Sequence, residues 1–278
     1  MSARWMRALL VPAFAAGLYG CDAPQAPAPE PAPPPPAKAP ALDLATLQAE
    51  AEKAALTPSP AEMQASLGKA GIVHSLSDLV QTRKIDLDTD NPDRIAVGTG
   101  VLVADVVLTV KAAPKEDLVA RLQAIQHGMK QLGGGEDIDN TITDLINRIQ
   151  NDAVSRDVLV RELDELSGVM IPEIKYQNGD RVVPLLQAGS WLEGANLVST
   201  AVMNSGKFEA ADTLLKQPEV VDYFLKVVMV QGGAAPDEVI AKLVATLTSL
   251  KEITSKESLT EEDIKSIHEQ TDAVLALL

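Results

Sequence analysis

The chain has 278 residues, of which 46% are apolar and 23% charged, a composition typical of a globular protein with a sizeable core. Aromatic residues make up only 3%, so aliphatic side chains must fill that core. The 24 basic residues are outnumbered by 39 acidic ones, and a surface of that sign repels nucleic-acid phosphates and anionic lipid headgroups. The composition therefore argues against nucleic acid as a partner, although an acidic surface also simply keeps a protein soluble.

The first twenty residues have the pattern of an export signal. Arg4 and Arg7 precede an apolar stretch of eleven residues, 8–18, which is too short to span a bilayer as a helix. The stretch ends at Leu18-Tyr19-Gly20-Cys21, which resembles the bacterial lipoprotein box. That family has a branched apolar residue three places before a cysteine and a small residue just before it; Tyr19 stands where a small residue is preferred.

The resemblance to lipoproteins implies that the signal is removed and that Cys21, the only cysteine, carries acyl chains. The protein would then be exported and anchored to a bacterial membrane, facing the periplasm or the exterior. Ordinary cleavage of the signal and a retained signal anchor are the alternatives. A single cysteine also excludes an intramolecular disulfide.

Residues 22–41 contain nine prolines in twenty positions. Proline fixes φ and lacks an amide proton, so this segment is predicted to be a polyproline-II-like rod. At about 3.1 Å per residue it would hold a domain up to roughly 60 Å from the bilayer. We interpret it as a spacer; a ligand for a proline-recognising domain is the alternative. The predicted organisation is a signal peptide at 1–20, a lipidated cysteine and disordered tether at 21–41, and a helical domain at 42–278.

From Leu42 onward, apolar residues recur at the spacing of amphipathic helices. We expect one all-α domain, a single array of about 10–12 mostly antiparallel helices. Two helices, at 98–111 and 182–203, are apolar on nearly every face and are predicted to be central and buried. Thr99 is the expected cap of the first, because Asn91-Pro92 places the preceding acidic stretch in a loop. The other helices are expected near 43–55, 60–71, 75–82, 114–132, 137–149, 155–166, 208–216, 218–230, 236–250 and 260–277.

An acidic loop precedes the first central helix. Asp86, Asp88 and Asp90 alternate as at the start of a helix-loop-helix calcium site. Such a loop needs Gly at its sixth position and Glu at its twelfth, where this chain has Asn91 and Val97. A solvated loop is therefore favoured over an irregular calcium site.

Residues able to perform catalysis are scarce in the sequence. The three histidines do not pair at metal-ligand spacing, and Ser190 lacks the second glycine of a nucleophile elbow. The sequence therefore predicts no cofactor, no metal site and no enzymatic activity.

Polar residues inside the two central helices form the one candidate site. Asp105 lies within the apolar stretch 101–110, and burial of an unpaired carboxylate costs several kcal/mol. The second helix carries polar residues every three or four positions: Gln187, Ser190, Glu193, Asn196 and Thr200.

We predict a candidate polar pocket between the central helices, lined by Asp105, Gln187, Ser190, Trp191 and Glu193. The alternatives are an interior network that fixes the helix register, and a cation site between facing carboxylates. Trp191 is either a core anchor or a platform on which a sugar ring stacks.

Two stretches carry a further resemblance: Gly98-Thr99-Gly100-Val101-Leu102-Val103-Ala104-Asp105-Val106 and Leu185-Leu186-Gln187-Ala188-Gly189-Ser190-Trp191-Leu192-Glu193-Gly194. They are similar to a group of secreted helical lipoproteins of unassigned function, found in several bacterial phyla. The resemblance implies an exported all-helical domain and no particular activity. The expected function is that of a membrane-anchored binding or scaffolding module with an envelope protein as partner. The alternative is a helical pocket protein that binds a small ligand or cation between its central helices.

Overall fold

The computed structural model describes residues 58–73, 75–81, 83–167, 176, 181–229 and 237–278. Cys21, the proline-rich stretch and the helix expected at 43–55 lie outside these residues. The chain divides into two units, Met1–Ala41 and Leu42–Leu278, and all described residues belong to the second.

The described residues are helical and contain no strand, which confirms the predicted all-α fold. Two short 3-10 turns occur, at Leu76–Asp78 and Phe208–Ala210. The α-helices of the described ranges, in chain order, are α1 (Pro60–Lys69), α2 (Pro92–Thr109), α3 (Lys115–Gln131), α4 (Gly135–Gln150), α5 (Arg156–Glu165), α6 (Val182–Ser205), α7 (Ala211–Leu215), α8 (Pro218–Met229), α9 (Glu238–Thr254) and α10 (Glu261–Leu275).

The central helices α2 and α6 are buried along most of their length, as expected from their apolar sequences. They run parallel to each other. An ion pair between Asp93 and Arg181, 2.8 Å long, joins their N-terminal ends. Asp105 and Glu193, each twelve residues further on, again lie close enough to interact. Each central helix has an antiparallel neighbour: α3 packs against α2, and α10 packs against α6.

Glycine lets the two central helices touch through their backbones. A Cβ atom at Gly100 would overlap the backbone carbonyl of Leu186, and a Cβ atom at Gly189 would overlap the carbonyl of Val97. Such close approach is open only to a residue without a side chain. The crossing of α2 and α6 therefore has no room for a ligand at these positions.

The start of α2 differs from the prediction. The helix begins at Pro92 rather than at 98, because the Asn91 side chain caps it by accepting hydrogen bonds from the amides of Asp93 (3.0 Å) and Arg94 (3.3 Å). Proline is favoured in the first turn, where its missing amide proton would have no partner in any case. Thr99 is consequently an interior residue of the helix, in contact with Gly128 of α3.

Candidate functional site

Glu193 of α6 is completely buried, yet it carries an ion pair. Its Oε2 atom accepts a 2.7 Å hydrogen bond from Nη1 of Arg83. Arg83 lies in the non-helical segment that precedes α2, and its Nη2 atom is 3.6 Å from Oδ1 of Asp272 on α10. One guanidinium therefore joins the central helix to α10.

Asp105 of α2 is 4% exposed and lies near a second guanidinium. Arg121 of α3 donates a 2.6 Å hydrogen bond to Oγ1 of Thr109, whose hydroxyl donates to the backbone carbonyl of Asp105, also at 2.6 Å. These bonds hold the cation beside Asp105. We call Arg83, Asp105, Arg121, Glu193 and Asp272 the buried charge cluster.

The surroundings of the two buried carboxyl groups affect their pKa values differently. Burial, together with the nearby charge of Glu193, raises the pKa of Asp105 to about 8, although Arg121 and Arg83 oppose the rise. Burial also raises the pKa of Glu193, but the direct contact with Arg83 favours its ionised form. We therefore assign a proton to Asp105 at neutral pH.

Each buried carboxyl group also has an oxygen without a hydrogen-bond partner among the described residues: Oδ1 of Asp105 and Oε1 of Glu193. A buried acceptor left without a donor costs about 1–3 kcal/mol. Within the described residues, the cluster therefore leaves one acceptor unpaired on each buried carboxyl group.

The polar residues that recur along α6 after Glu193 contact α10. Asn196 donates a 3.0 Å hydrogen bond from Nδ2 to Oγ1 of Thr271, and the Thr200 hydroxyl lies 3.2 Å from Nδ1 of His268. These contacts fix α6 against α10, as an interior network that fixes the helix register would. Gln187 and Ser190, toward the start of α6, are half-buried.

Trp191 lies away from the carboxyl groups. Residues two positions apart on a helix point about 160° apart, so Trp191 and Glu193 face different neighbours. The indole Nε1 donates a 3.0 Å hydrogen bond to Oε1 of Gln217, and the ring lies 5.9 Å from that of Phe224 on α8. With 4% exposure, Trp191 fits the core anchor that was one of its two interpretations.

The structure thus brings Asp105 and Glu193 together and directs Trp191 elsewhere. Sequence reasoning missed the two arginines of the cluster. Arg121 could have been found, because it stands three residues after Leu118 and four before Ile125, on a helix face whose other members are buried. Arg83 lies in an irregular segment and gives no such periodic signal.

No group of three or more His, Cys, Asp or Glu side chains is arranged to hold a metal ion within the ranges described above. In the acidic loop, Oδ1 of Asp86 accepts a hydrogen bond from the amide of Asp88, and the Asp88 carboxylate lies 3.2 Å from Nε2 of His127. These are local contacts of a solvated loop.

A cavity of about 530 Å³ lies outside the charge cluster. Its lining comes from α1, α6, α7, α8 and the chain between α7 and α8, and includes Met63, Ser66, Val198, Lys216 and Gln217. The volume falls within the range of small-molecule sites. The cavity is thus separate from the crossing at which we predicted the polar pocket.

The fold and the cluster together define an all-α domain built around a parallel pair of buried helices with ionisable groups between them. In the described part of the chain, no helix is long and apolar enough to cross a membrane. Comparisons with known protein families, with curated proteins and with solved structures find no match for this chain.

Proposed function

We propose that the protein is an exported lipoprotein whose helical domain serves as a non-catalytic binding or scaffolding module of the cell envelope. The observation that supports a non-catalytic domain is the enclosure of its charged centre. Glu193 is fully buried and Asp105 almost so, and the backbones of α2 and α6 touch beside them. A general acid or base must come within hydrogen-bond reach of its substrate, and this arrangement offers no such approach.

The anchor rests on the sequence. Two or three acyl chains on Cys21 would hold the protein firmly, because each buried methylene contributes about 0.8 kcal/mol and a single chain binds only marginally. The prolines that follow would separate the helical domain from the bilayer and leave its surfaces free for a partner.

Mass spectrometry of the N-terminal peptide, together with membrane fractionation, tests the anchor. We expect the wild-type peptide to begin at Cys21 with diacylglycerol on its sulfur and the protein to sediment with membranes. Cys21→Ser is the matched control, which should keep the fold and lose the acyl mass. An unmodified sulfur on a chain that retains Met1 would refute the anchor.

Cross-linking in intact cells tests the module. We expect one envelope protein to be enriched reproducibly with the full chain and lost from a control that keeps only residues 1–41. Equal recovery with both chains would show that the helical domain has no such partner.

A second candidate function, binding of a small amphipathic molecule, is favoured by the cavity beside α1. Its lining combines apolar side chains with Ser66, Lys216 and Gln217. The fluorescent anion anilinonaphthalene sulfonate is a suitable probe, with Ser66→Trp as a variant that fills the space. Saturable binding that this variant abolishes would favour a ligand-binding protein. Equal binding by the wild type and Ser66→Trp would exclude the cavity as the binding site.

A further inference from the structure

The cavity beside α1 has an apolar lining to which four helices contribute. Its members are almost completely buried, with 5% exposure or less: Met63 of α1, Val198 of α6, Leu214 of α7 and Val220 of α8. The Met63 thioether packs on Gly194 of α6, where a Cβ atom would be only 2.3 Å from the sulfur. Methionine is unbranched and adapts its shape to its neighbours. This part of the lining therefore suits an apolar group and can adjust to the size of that group.

Uncharged polar groups form a second part of the lining. Ser66 is half-buried and Thr213 is exposed, and each offers a hydroxyl group. The amide of Gln217 accepts a 3.0 Å hydrogen bond from Trp191 and donates one of 3.2 Å to the carbonyl of Leu214. A side-chain amide carries two protons, so one proton of Gln217 is left to donate to a ligand.

Two opposite charges complete the lining. Lys216 directly follows α7, and Glu219 lies in the first turn of α8. The ammonium group of Lys216 donates a 2.6 Å hydrogen bond to the carbonyl of Glu257, which leaves two of its three protons. Within the part of the chain that the structure describes, neither Lys216 nor Glu219 forms an ion pair. Both charges are therefore available to a ligand.

The pair of charges discriminates between classes of amphipathic ligand. An amphipathic anion such as a fatty acid would be attracted by Lys216 and repelled by Glu219, and an amphipathic amine would meet the opposite combination. A molecule that carries both an ammonium and a carboxylate group satisfies both side chains. The same molecule needs an apolar body, because the remaining lining is apolar.

We propose that the cavity binds a short apolar peptide with free termini: Lys216 binds its carboxylate, Glu219 binds its ammonium group, and the apolar lining receives its side chains. The proposal rests on the second candidate function, the binding of an amphipathic molecule in this cavity, and names the class of that molecule. A free apolar amino acid carries the same two charges. It would fill a smaller part of the cavity of about 530 Å³, which has the volume of a site for a drug-sized molecule.

Calorimetric titration of the full chain with trileucine tests the proposal at about pH 6.5, where both peptide termini are ionised. Two blocked peptides are the matched ligands: N-acetyl-trileucine lacks the ammonium group, and trileucine amide lacks the carboxylate. We expect one molecule of trileucine to bind per chain, and each blocked peptide to bind about threefold to fivefold more weakly. Leucine should bind more weakly than trileucine.

Variants assign each charge to its partner. Lys216→Gln should weaken trileucine binding about fivefold and leave the binding of trileucine amide unchanged, because that peptide has no carboxylate to lose. Glu219→Gln should weaken trileucine binding about threefold and leave N-acetyl-trileucine unchanged. Glu219 forms no hydrogen bond to another described residue, so its variant keeps the test valid even if Lys216→Gln is unstable.

Control variants come from α9, which does not line the cavity. Lys242→Gln replaces a lysine that is half-buried like Lys216, and Glu238→Gln replaces an exposed glutamate in a first turn, as Glu219 is in α8. Both should bind trileucine as the wild type does.

The outcomes separate this proposal from the candidate function on which it rests. Equal binding of the three peptides, or unchanged selectivity in the Lys216 and Glu219 variants, would overturn the proposal. If anilinonaphthalene sulfonate binds in the cavity and trileucine neither binds nor displaces it, the cavity is a binding site and the ligand class is wrong. If Ser66→Trp does not affect the binding of either molecule, the cavity itself is excluded. Tighter binding of leucine than of trileucine would assign the site to an amino acid instead of a peptide.

Discussion

Asp105 and Glu193 occupy corresponding turns of two parallel helices, and each carboxyl group depends on a cation from a distant part of the chain. The two acidic residues were visible in the sequence, because charged side chains are conspicuous in apolar helices. The cation beside Glu193 was not, because Arg83 lies 110 positions before Glu193 and contacts it only through the tertiary fold. Sequence periodicity reports the faces of one helix and carries no information on such long-range pairs.

The titration of Asp105 predicts how stability varies with pH. Its pKa is about 8 in the folded domain against a reference value of 3.8, so the folded state binds one more proton than the unfolded state between these values. This contribution to stability is complete below the reference value and is lost as pH rises toward 8. Asp105→Asn removes it, so the free energy of unfolding of the variant should rise relative to wild type by about 1 kcal/mol per pH unit.

Urea unfolding between about pH 5 and about pH 7 measures this difference. The fixed effect of placing an amide in the core cancels, because only the slope with pH is compared. Asp90→Asn is the control, since its carboxylate is exposed. Parallel stability curves for wild type and Asp105→Asn would show that Asp105 is ionised throughout.

At the scale of the helices, the sequence predicted which helices are central. It did not predict where α2 begins or that α2 and α6 run parallel. The apolar faces of α2 and α6 were sufficient to identify them as buried. The start of α2 was wrong because Asn91-Pro92 was interpreted only as a break, although the same pair is a good cap and first turn. The parallel direction of the pair was also beyond the sequence, because it depends on how the chain between the two helices folds back.

Backbone contact between α2 and α6 predicts a strong effect of a single methyl group. Gly189→Ala would drive its Cβ into the carbonyl of Val97, so the helices must separate and the core must repack. We expect a loss of about 3 kcal/mol in the free energy of unfolding. The matched control is Gly68→Ala in α1, where a Cβ meets no atom within 4 Å.

That control should stabilise the domain slightly, by up to about 1 kcal/mol, because alanine favours a helix more than glycine does. Chemical denaturation of both variants provides the comparison. A neutral Gly189→Ala variant would mean that the two central helices are further apart than described.

At the scale of the whole molecule, the chain divides into two units, Met1–Ala41 and Leu42–Leu278. Among the described residues, the apolar side chains of the core form one continuous cluster that begins at Met63. The helical class could be predicted from composition and periodicity alone, since aliphatic side chains at helical spacing leave few other ways to bury apolar surface. The charge cluster could not, because it arises only when five separate segments meet.

The division of the chain after Ala41 predicts that the helical domain folds without the preceding residues. A chain that begins at Leu42, the first residue of the second unit, should unfold cooperatively, with a melting temperature within about 2 °C of that of the full chain. Circular dichroism during heating measures both. A fall of about 5 °C or more would mean that residues 1–41 contribute contacts to the domain, and they would then be part of its structure rather than a leader and spacer.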